Sequence, residues 1–315
     1  MKLVKFEIAE NQLIGVIVDN TVIDIHAAYH HYAEVKAKEH LNQEALPINL
    51  LDFLQTGNET LRLVQSISDY VLQNDVEDSS YKIFYSLSEV TICAPLHNPE
   101  KIICVGLNYL DHCKETGMEI PTSPIIFSKF TNALIGPNES VQLPINSQEV
   151  DYEAELAVII GKTAKKVKEE DAMDYVFGYT ILNDISARDI QLGDGQWLRG
   201  KTPDTFAPIG PYIVTKDEIA DPHHLDIMLK LNGEVMQDSN TENLIFNIPF
   251  IISYLSQSMT LKPGDIIATG TPHGVGMSRE PQVWLKDGDE MEITIEKIGT
   301  LLNPVENDNE PSKCS

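Results

Sequence analysis

Two glutamates separated by one residue are the first candidates for chemistry in this sequence. Glu153 and Glu155 open the segment E-A-E-L-A-V-I-I, whose apolar run predicts a β-strand. Because side chains alternate along a strand, both carboxylates should share one face. A solvated strand face is the ordinary explanation of such a pair, since buried like charges repel each other. A bound divalent cation is the alternative, and the spacing alone does not decide between them.

A third carboxylate ends the next apolar run. Asp184 follows the segment Y-T-I-L-N and should lie at the end of a strand, where functional side chains often project. A turn role is at least as common for an aspartate there, and Ser186 could cap a following helical turn. Three carboxylates with no cysteine and no obligatory histidine would form an oxygen-only site, which suits Mg²⁺, Mn²⁺ or Ca²⁺.

Two lysines in unusual settings could offset the charge of such a site. A dication among three carboxylates is still net negative, so an organic anion bound there needs nearby cations. Lys129 follows the apolar run I-I-F with one residue between, and Lys201 follows Gly200 in the segment Q-W-L-R-G-K. For either residue taken singly, a solvated surface lysine is the ordinary explanation.

A histidine and a glutamate stand three residues apart in the segment N-Y-L-D-H-C-K-E. His112 and Glu115 would face each other if this segment is a short helix. A carboxylate beside an imidazole orients it and raises its basicity, so the pair could act as a general base for water. A surface ion pair is the commoner explanation of this spacing.

A glycine-rich segment, T-G-T-P-H-G-V-G at residues 269–276, ends a further apolar run. It lacks the lysine and the spacing of a P-loop. Its backbone amides and Thr271 could bind a carboxylate, and a tight turn is the alternative.

The composition disfavours several classes of function. The formal net charge of -25 repels nucleic acid and anionic membranes. The apolar runs fall far short of the roughly 20 residues that span a bilayer, and the first residues lack the pattern of a signal peptide, so we expect a cytosolic protein. The four cysteines form no C-x-x-C pair, which indicates reduced, structural thiols rather than zinc held by sulfur.

The first part of the chain, residues 1–95, predicts a small α+β domain. Alternating apolar residues predict antiparallel strands up to about residue 25, and broken apolar stripes predict helices over 26–41 and 50–72. A strand is predicted over 85–92, and the boundary is placed at Pro95.

The second part, residues 96–305, predicts the domain that positions the candidate residues. It contains short apolar runs separated by Gly, Pro and Asn turns, with one clear helix over 248–257. Many strands and few long helices predict a β-rich α+β fold. The polar segment 306–315 is predicted to be a disordered tail.

Taken in order, these segments resemble the fumarylacetoacetate hydrolase family. The matching motifs are G-x-N-Y-x-x-H-x-x-E, F-x-K, D-Y-E-x-E-L, N-D-x-S-x-R-D-x-Q, G-K and T-G-T-P-x-G-V-G, and they run from about Lys101 to Val305. By this resemblance the fold would be the family's β-roll with short helices, preceded by a small N-terminal domain. The family resemblance also implies a homodimer.

The resemblance implies a role for each candidate residue. The carboxylates would hold Mg²⁺ or Mn²⁺, and the other residues would act on a small 2-oxo acid. The implied metal ligands are Glu153, Glu155 and Asp184, the implied catalytic residues are His112, Glu115 and Lys201, and the implied substrate-binding residues are Gln191, Thr271 and Lys129.

The implied reaction is cleavage of a C–C bond in the 2-oxo acid through a metal-stabilised enolate, by hydrolysis of a 3-acylpyruvate or decarboxylation of oxaloacetate. The same enolate serves isomerases and decarboxylases of aromatic ring-cleavage products, which form the second hypothesis. A low-turnover metabolite-binding protein is the third. The complete set of candidate ligands and the His112 and Glu115 pair argue against this third hypothesis.

Overall fold

The computed structural model describes residues 1–36, 46–74, 76 and 79–308. Its strands are β1 Lys2–Ile8, β2 Asn11–Val18, β3 Thr21–Asp24, β4 Phe84–Ser86, β5 Thr91–Cys93, β6 Ile102–Gly106, β7 Ile125–Lys129, β8 Leu134–Ile135, β9 Val141–Leu143, β10 Val150–Asp151, β11 Ala154–Ile160, β12 Val176–Asn183, β13 Ser186–Ala187, β14 Ala207–Thr215, β15 Asp226–Leu231, β16 Glu234–Asn240, β17 Ile266–Ala268, β18 Glu290–Ile295 and β19 Gly299–Asn307. Its helices are α1 Ile25–Lys36, α2 Leu50–Gln55, α3 Asn58–Gln73, α4 Leu110–Thr116, α5 Arg188–Gly193, α6 Leu198–Lys201 and α7 Ile248–Ser258.

An open twelve-stranded sheet forms the centre of the molecule. Its main path is β4-β3-β2-β1-β14-β12-β11-β17-β6-β7, with β5 joined to β1 and β8 to β14. The two middle strands β11 and β12 are antiparallel, and every residue of β11 is buried. A strand buried on both faces needs an apolar sequence, which is what L-A-V-I-I supplies. The strand-rich mixed fold agrees with the prediction, and its sheets do not close.

A smaller five-stranded sheet, in the order β16-β15-β18-β19-β9, packs beside the first. β10 and β13 form a separate two-stranded ladder, in which Val150 pairs with Ala187 and Asp151 with Ser186. This short ladder lies next to the ends of β11 and β12. It therefore brings the segments around residues 151 and 188 together.

The first part of the chain shares the large sheet with the second. β1 pairs with β14 at Lys2↔Val214 and Leu3↔Ile213, so the sheet continues across both predicted parts. The helix predicted over 50–72 is two helices, because Gly57 takes a left-handed φ of 77° between α2 and α3. α1 follows the helix predicted over 26–41 as far as Lys36, and residues 37–41 lie outside the described residues.

The later elements lie close to their predicted positions. α7 covers the helix predicted over 248–257, begins at Asn247, which accepts from Phe250 N, and buries Ile251 and Leu255. The strand predicted over 85–92 is split into β4 and β5. β19 continues to Asn307 beside Leu143, so ordered structure extends into the segment predicted to be disordered. Residues 309–315 lie outside the described residues.

Candidate active site

Glu153 and Glu155 converge although they do not share one strand. β10 ends at Asp151 and β11 begins at Ala154, so Glu153 lies in the break between them. Side-chain amides hold this break: Glu153 N donates to Asn183 Oδ1 at 3.0 Å, and Ala154 N donates to Gln237 Oε1 at 2.9 Å. The prediction of a common strand was therefore wrong, while the predicted meeting of the two carboxylates is found.

Asp184 completes a group of three carboxylates. It follows β12 directly, and its backbone N–H donates to Glu153 O at 2.9 Å, which fixes the two segments side by side. One carboxylate oxygen from each of Glu153, Glu155 and Asp184 lies within 4.8 Å of the others. All three side chains are buried, so the solvated strand face considered for the sequence is excluded. Ser186 does not cap a helix: it lies in β13, and its hydroxyl donates to Asp184 O.

Two buried lysines face these carboxylates. Lys201 Nζ lies 2.7 Å from Glu153 Oε2 and 2.9 Å from Asp184 Oδ2. Lys129 Nζ lies 2.6 Å from Asp184 Oδ1 and donates to Ile185 O at 2.9 Å. The explanation of either residue as a surface lysine is therefore wrong.

The position of Lys201 depends on the glycine before it. Gly200 lets α6 approach α5 closely, because a Cβ at this residue would lie 2.5 Å from Gln191 N and 2.7 Å from Ala187 O. The G-K motif therefore has a packing reason. A side chain at residue 200 would push α6, and with it the ammonium group of Lys201, away from the carboxylates.

Sequence reasoning missed a third buried cation. Arg188, the first residue of α5, donates from Nε to Asp151 Oδ2 at 2.9 Å, and its Nη2 lies 2.7 Å from Glu153 Oε1. Asp151 also accepts from Gly276 N and Met277 N, so it links Arg188 to the glycine-rich loop. The available signal was the R of N-D-x-S-x-R-D, since an arginine next to a cluster of acids commonly pairs with one of them.

The electrostatics differ among the three carboxylates. Burial and the charges of Asp184 and Glu153 raise the pKa of Glu155 well above its usual range. Burial acts in the same direction on Glu153, but Lys201 and Arg188 outweigh it and lower the pKa of Glu153 to about 2. Glu155 accepts a hydrogen bond from Gly270 N at 2.7 Å and has no ion pair among the residues that the structure describes. A cation bound near Glu155 would relieve this repulsion.

The two lysines also differ from each other. Burial lowers the pKa of Lys129, and its single carboxylate partner Asp184 does not fully offset this. Burial also acts to lower the pKa of Lys201, but the charges of Asp184 and Glu153 raise it overall. In this arrangement Lys201 is therefore held as an ammonium ion.

A cavity lies between the carboxylates of Glu153 and Glu155 and the helix α4. This helix carries His112 and Glu115. His112 Nδ1 lies 3.3 Å from Glu115 Oε2, and Glu115 Oε1 accepts from Gly274 N at 2.9 Å. His112 is 7% exposed and lines the cavity, so the pair is not a surface ion pair. The carboxylate can orient the imidazole while the other ring nitrogen remains free to exchange a proton.

The remaining candidate residues line the cavity or support it. Gln191 and Thr271 both line it, with Gln191 Oε1 accepting from Arg188 Nη1 and Thr271 Oγ1 accepting from Gln237 Nε2. Lys129 is not among the lining residues and acts through Asp184. The apolar part of the wall consists of Val105, Leu107, Met118, Phe127, Leu192, Trp197 and Met277.

The glycine-rich loop connects both sides of the site. Residues 269–276 contact the carboxylate group through Gly270 N and contact α4 through Gly274 N. Gly274 has a φ of +95°, and a Cβ there would lie 2.0 Å from Met236 O, so no other residue fits without movement. The alternative of an isolated tight turn is excluded by these contacts.

The three cysteines that the structure describes take no part in this ligand set. Cys93, Cys104 and Cys113 are free, and burial raises the pKa of each thiol. This agrees with the prediction of reduced, structural thiols for these three residues. Cys314 lies outside the described residues.

Comparison with known proteins defines the class to which this fold and site belong. The model of the fumarylacetoacetate hydrolase C-terminal domain matches residues 101–306. The chain therefore belongs to the fumarylacetoacetate hydrolase family, and it is an enzyme of that family. In the described part of the chain, no helix is long and apolar enough to cross a membrane.

Two relatives illustrate where in the family the chain lies. A mitochondrial oxaloacetate tautomerase of Bos taurus is 49% identical over 265 residues, which cover 84% of this chain and 81% of that protein. A homolog of fumarylacetoacetate hydrolase domain-containing protein 2 from Dictyostelium discoideum is 45% identical over 307 residues, which cover 94% of this chain and 93% of that protein.

Solved structures show the same fold. Fumarylacetoacetate hydrolase from Exiguobacterium antarcticum superimposes with a TM-score of 0.78 at 34% identity, and the match covers 98% of this chain and 100% of that one. Maleylpyruvate hydrolase from Sphingobium sp. SYK-6, in complex with manganese(II) and pyruvate, gives a TM-score of 0.75 at 32% identity with the same coverage.

Proposed function

We propose that Glu153, Glu155 and Asp184 hold a divalent cation, Mg²⁺ or Mn²⁺. The convergence of three buried carboxylate oxygens within 4.8 Å carries this proposal, and hard oxygen donors suit either ion. The charges support it as well. Four buried carboxylates, including Asp151, face three buried cations, so a divalent ion turns an excess of one negative charge into an excess of one positive charge.

The substrate that fits this charge is a small 2-oxo acid, and we propose keto–enol tautomerisation of oxaloacetate as the reaction. The name of the Bos taurus relative supports this choice, as does the pyruvate bound to a solved relative. When bound, the cation would act as a Lewis acid that stabilises negative charge on the substrate oxygens. Lys201 and Arg188 contribute positive charge to the wall of the cavity that carries Glu153.

The proton is transferred by a side chain of α4, which lines one side of the cavity. His112 would take a proton from C3 of the substrate, leaving an enolate, and return of that proton from the His112 imidazolium to the keto oxygen would give the enol. Glu115 would hold the ring of His112 in place during this exchange. Gln191 and Thr271, which line the cavity, would bind substrate oxygens and fix the plane of the enolate.

The test is a direct assay of tautomerisation, followed by the ultraviolet absorbance of the enol with Mg²⁺ or Mn²⁺ present. We expect the protein to accelerate the tautomerisation. The Glu155→Gln variant with the same metal should give only the rate measured with metal and no protein. This variant is the matched control, because free metal ions also act on oxaloacetate. Equal rates for the two proteins would refute the proposal.

Cleavage of a C–C bond is the second candidate, and the His112 and Glu115 pair favours it because such a pair can activate water. In hydrolysis of a 3-acylpyruvate, His112 would take a proton from water, which attacks the distal carbonyl and releases a carboxylic acid and an enolate. Decarboxylation of oxaloacetate needs no such base. We therefore expect His112→Gln to reduce tautomerisation and hydrolysis by roughly 10²-fold or more and decarboxylation by less. Equal losses in all three assays would contradict this division of labour.

A homodimer and a cytosolic location complete the proposal. The homodimer follows from the family resemblance, and the cytosolic location carries over the expectation stated for the sequence. Size-exclusion chromatography with light scattering would measure the assembly. Cell fractionation would test the location. The test matters because the names of several relatives describe them as mitochondrial.

A further inference from the structure

The glycine-rich loop meets helix α4 at a second contact that the proposed reaction does not use. His273 Nδ1 lies 3.0 Å from Asp111 Oδ2. The neighbouring contact joins Gly274 N to Glu115 Oε1. Asp111 and Glu115 are four residues apart and therefore lie on one face of α4. The loop thus holds this face at both ends of a single helical turn.

Asp111 is the fixed member of the pair. Its Oδ1 accepts from His112 N at 2.7 Å at the beginning of the helix, and its Oδ2 accepts from Ser239 Oγ at 2.5 Å. The side chain of His273 is 45% exposed, whereas that of Asp111 is 22% exposed. A proton from solvent can therefore reach the imidazole without any movement of the loop.

We infer that His273 is a positioning residue, which ties the helix carrying His112 and Glu115 to the glycine-rich loop through Asp111 and does so more tightly when it is protonated. This inference rests on the proposed function of the site. His273 occupies the position that the motif T-G-T-P-x-G-V-G leaves open.

The charges around the imidazole support this reading of the contact. α4 presents Asp111 and, through Gly274, Glu115. After the loop, Arg279 Nε donates to Gly274 O at 3.4 Å, and from β16 Ser239 adds a neutral hydroxyl at Asp111. A neutral imidazole can give Asp111 one hydrogen bond, whereas a protonated one adds an ion pair to it. Because imidazoles change charge between about pH 5 and 8, α4 should be held more firmly on the acid side of this range.

The first test compares kcat/KM for oxaloacetate in the Mn²⁺-loaded enzyme with that of His273→Gln at each pH. The ratio of wild type to variant at each pH removes the pH dependence that both proteins share. We expect a ratio of about three- to tenfold at pH 5.5 that falls towards one at pH 8.5, the range for a partly exposed charge pair. His273→Lys, which keeps a positive charge at both pH values, should restore the rate at pH 5.5 and equal or exceed wild type at pH 8.5. A ratio independent of pH, or no rescue by lysine, would overturn the inference.

Two further variants isolate the pair. In an Asp111→Asn background, His273→Gln should have little additional effect at pH 5.5, since the negative charge that pairs with the imidazolium is gone. His224→Gln is the matched control, because His224 is also an exposed histidine beside acids, Asp221 and Glu242, neither of which lies on α4. It should leave the ratio at one. Additive effects of the two substitutions at 111 and 273 would argue against a direct tie.

A second measurement does not depend on the substrate. Hydrogen exchange of the α4 amides, followed by mass spectrometry in Mn²⁺-loaded protein at pH 5.5, should be several-fold faster in His273→Gln than in wild type. If the protein turned over neither oxaloacetate nor acylpyruvates while this difference persisted, the proposed function would fail and the inference would stand. Normal turnover with unchanged exchange would sink the inference alone.

Discussion

The two sides of the cavity are held in different ways. The carboxylate side, with Glu153, Glu155 and Asp184, stands on the ends of buried strands in the middle of the large sheet. The α4 side, with His112 and Glu115, stands on a helix of seven residues that begins at Tyr109 without a side-chain cap. One side is therefore fixed mainly by the backbone ladder between β11 and β12, with side-chain amides at the break before Ala154, and the other mainly by side-chain contacts of a short helix.

This difference matches what each side must do. Metal ligands must be held at nearly fixed separations. The strands of a buried sheet are rigid, so they hold side chains at such separations. A proton carrier must approach the substrate and also let it enter, so weaker attachment is compatible with its role. The comparison therefore predicts severe losses from changes on the carboxylate side and graded losses from changes on the α4 side.

The largest effect is expected for Glu155→Gln. Loss of one charged ligand should abolish metal binding, measured by titration calorimetry, and reduce activity by at least about 10³-fold, because a Lewis acid contributes several kcal/mol. The melting temperature of the metal-free variant should equal or exceed that of metal-free wild type, since Glu155 has repulsive neighbours and Gly270 N as its donor. A lower melting temperature would mean that Glu155 stabilises the fold without metal.

The substitution Lys201→Met should have the second-largest effect. It leaves Glu153 and Asp184 with one cation fewer in a buried setting, which costs about 3–5 kcal/mol when a buried pair is broken. Urea denaturation of the metal-free protein measures this loss. Saturating Mn²⁺ should recover part of the stability, whereas binding of oxalate should stay weakened. Unchanged stability would show that the ammonium group contributes no net stabilisation.

On the α4 side, Glu115→Gln should be milder. Glutamine can still accept from Gly274 N, so the helix stays attached, but the charge that orients His112 is lost. We expect kcat to fall about ten- to a hundredfold, as for loss of one charge-assisted hydrogen bond. Metal affinity, measured in parallel, should not change. A drop in metal affinity would contradict the separation of the two sides.

The smallest effect is expected for Asp189→Asn, at an exposed position in the first turn of α5. Although burial raises its pKa, hydrogen bonds from Gln148 N and Ser147 Oγ hold the pKa of Asp189 below its usual value of 3.8. A carboxylate with a lowered folded-state pKa stabilises the protein above its unfolded value, and this contribution is lost as pH falls through the folded value. The variant should therefore be less stable at pH 7 by under about 1 kcal/mol, and the difference should close below pH 4. A constant difference at both pH values would exclude an ionic origin.

The sequence predicted which candidate residues would come together but not how they are held. Ordered motifs selected Asp184, Lys201 and His112 as candidates because the short-range spacing around them is distinctive. The break before Ala154 and the cation Arg188 were missed, because both depend on contacts across the fold, with Asn183, Gln237 and Asp151. The pairing of β1 with β14 could not be predicted from the sequence for the same reason, since it joins residues more than two hundred positions apart.

The parallel pairing of β6 with β17 has a consequence for how the molecule forms. Ile102 lies beside Ile266, and Gly270 N reaches Glu155 only when this distant strand is in place. Contacts of such large sequence separation slow folding, since the long intervening chain must be closed first. During synthesis the carboxylates near residue 155 emerge well before the loop that supports them. Metal capture should therefore follow, and not guide, assembly of the central sheet.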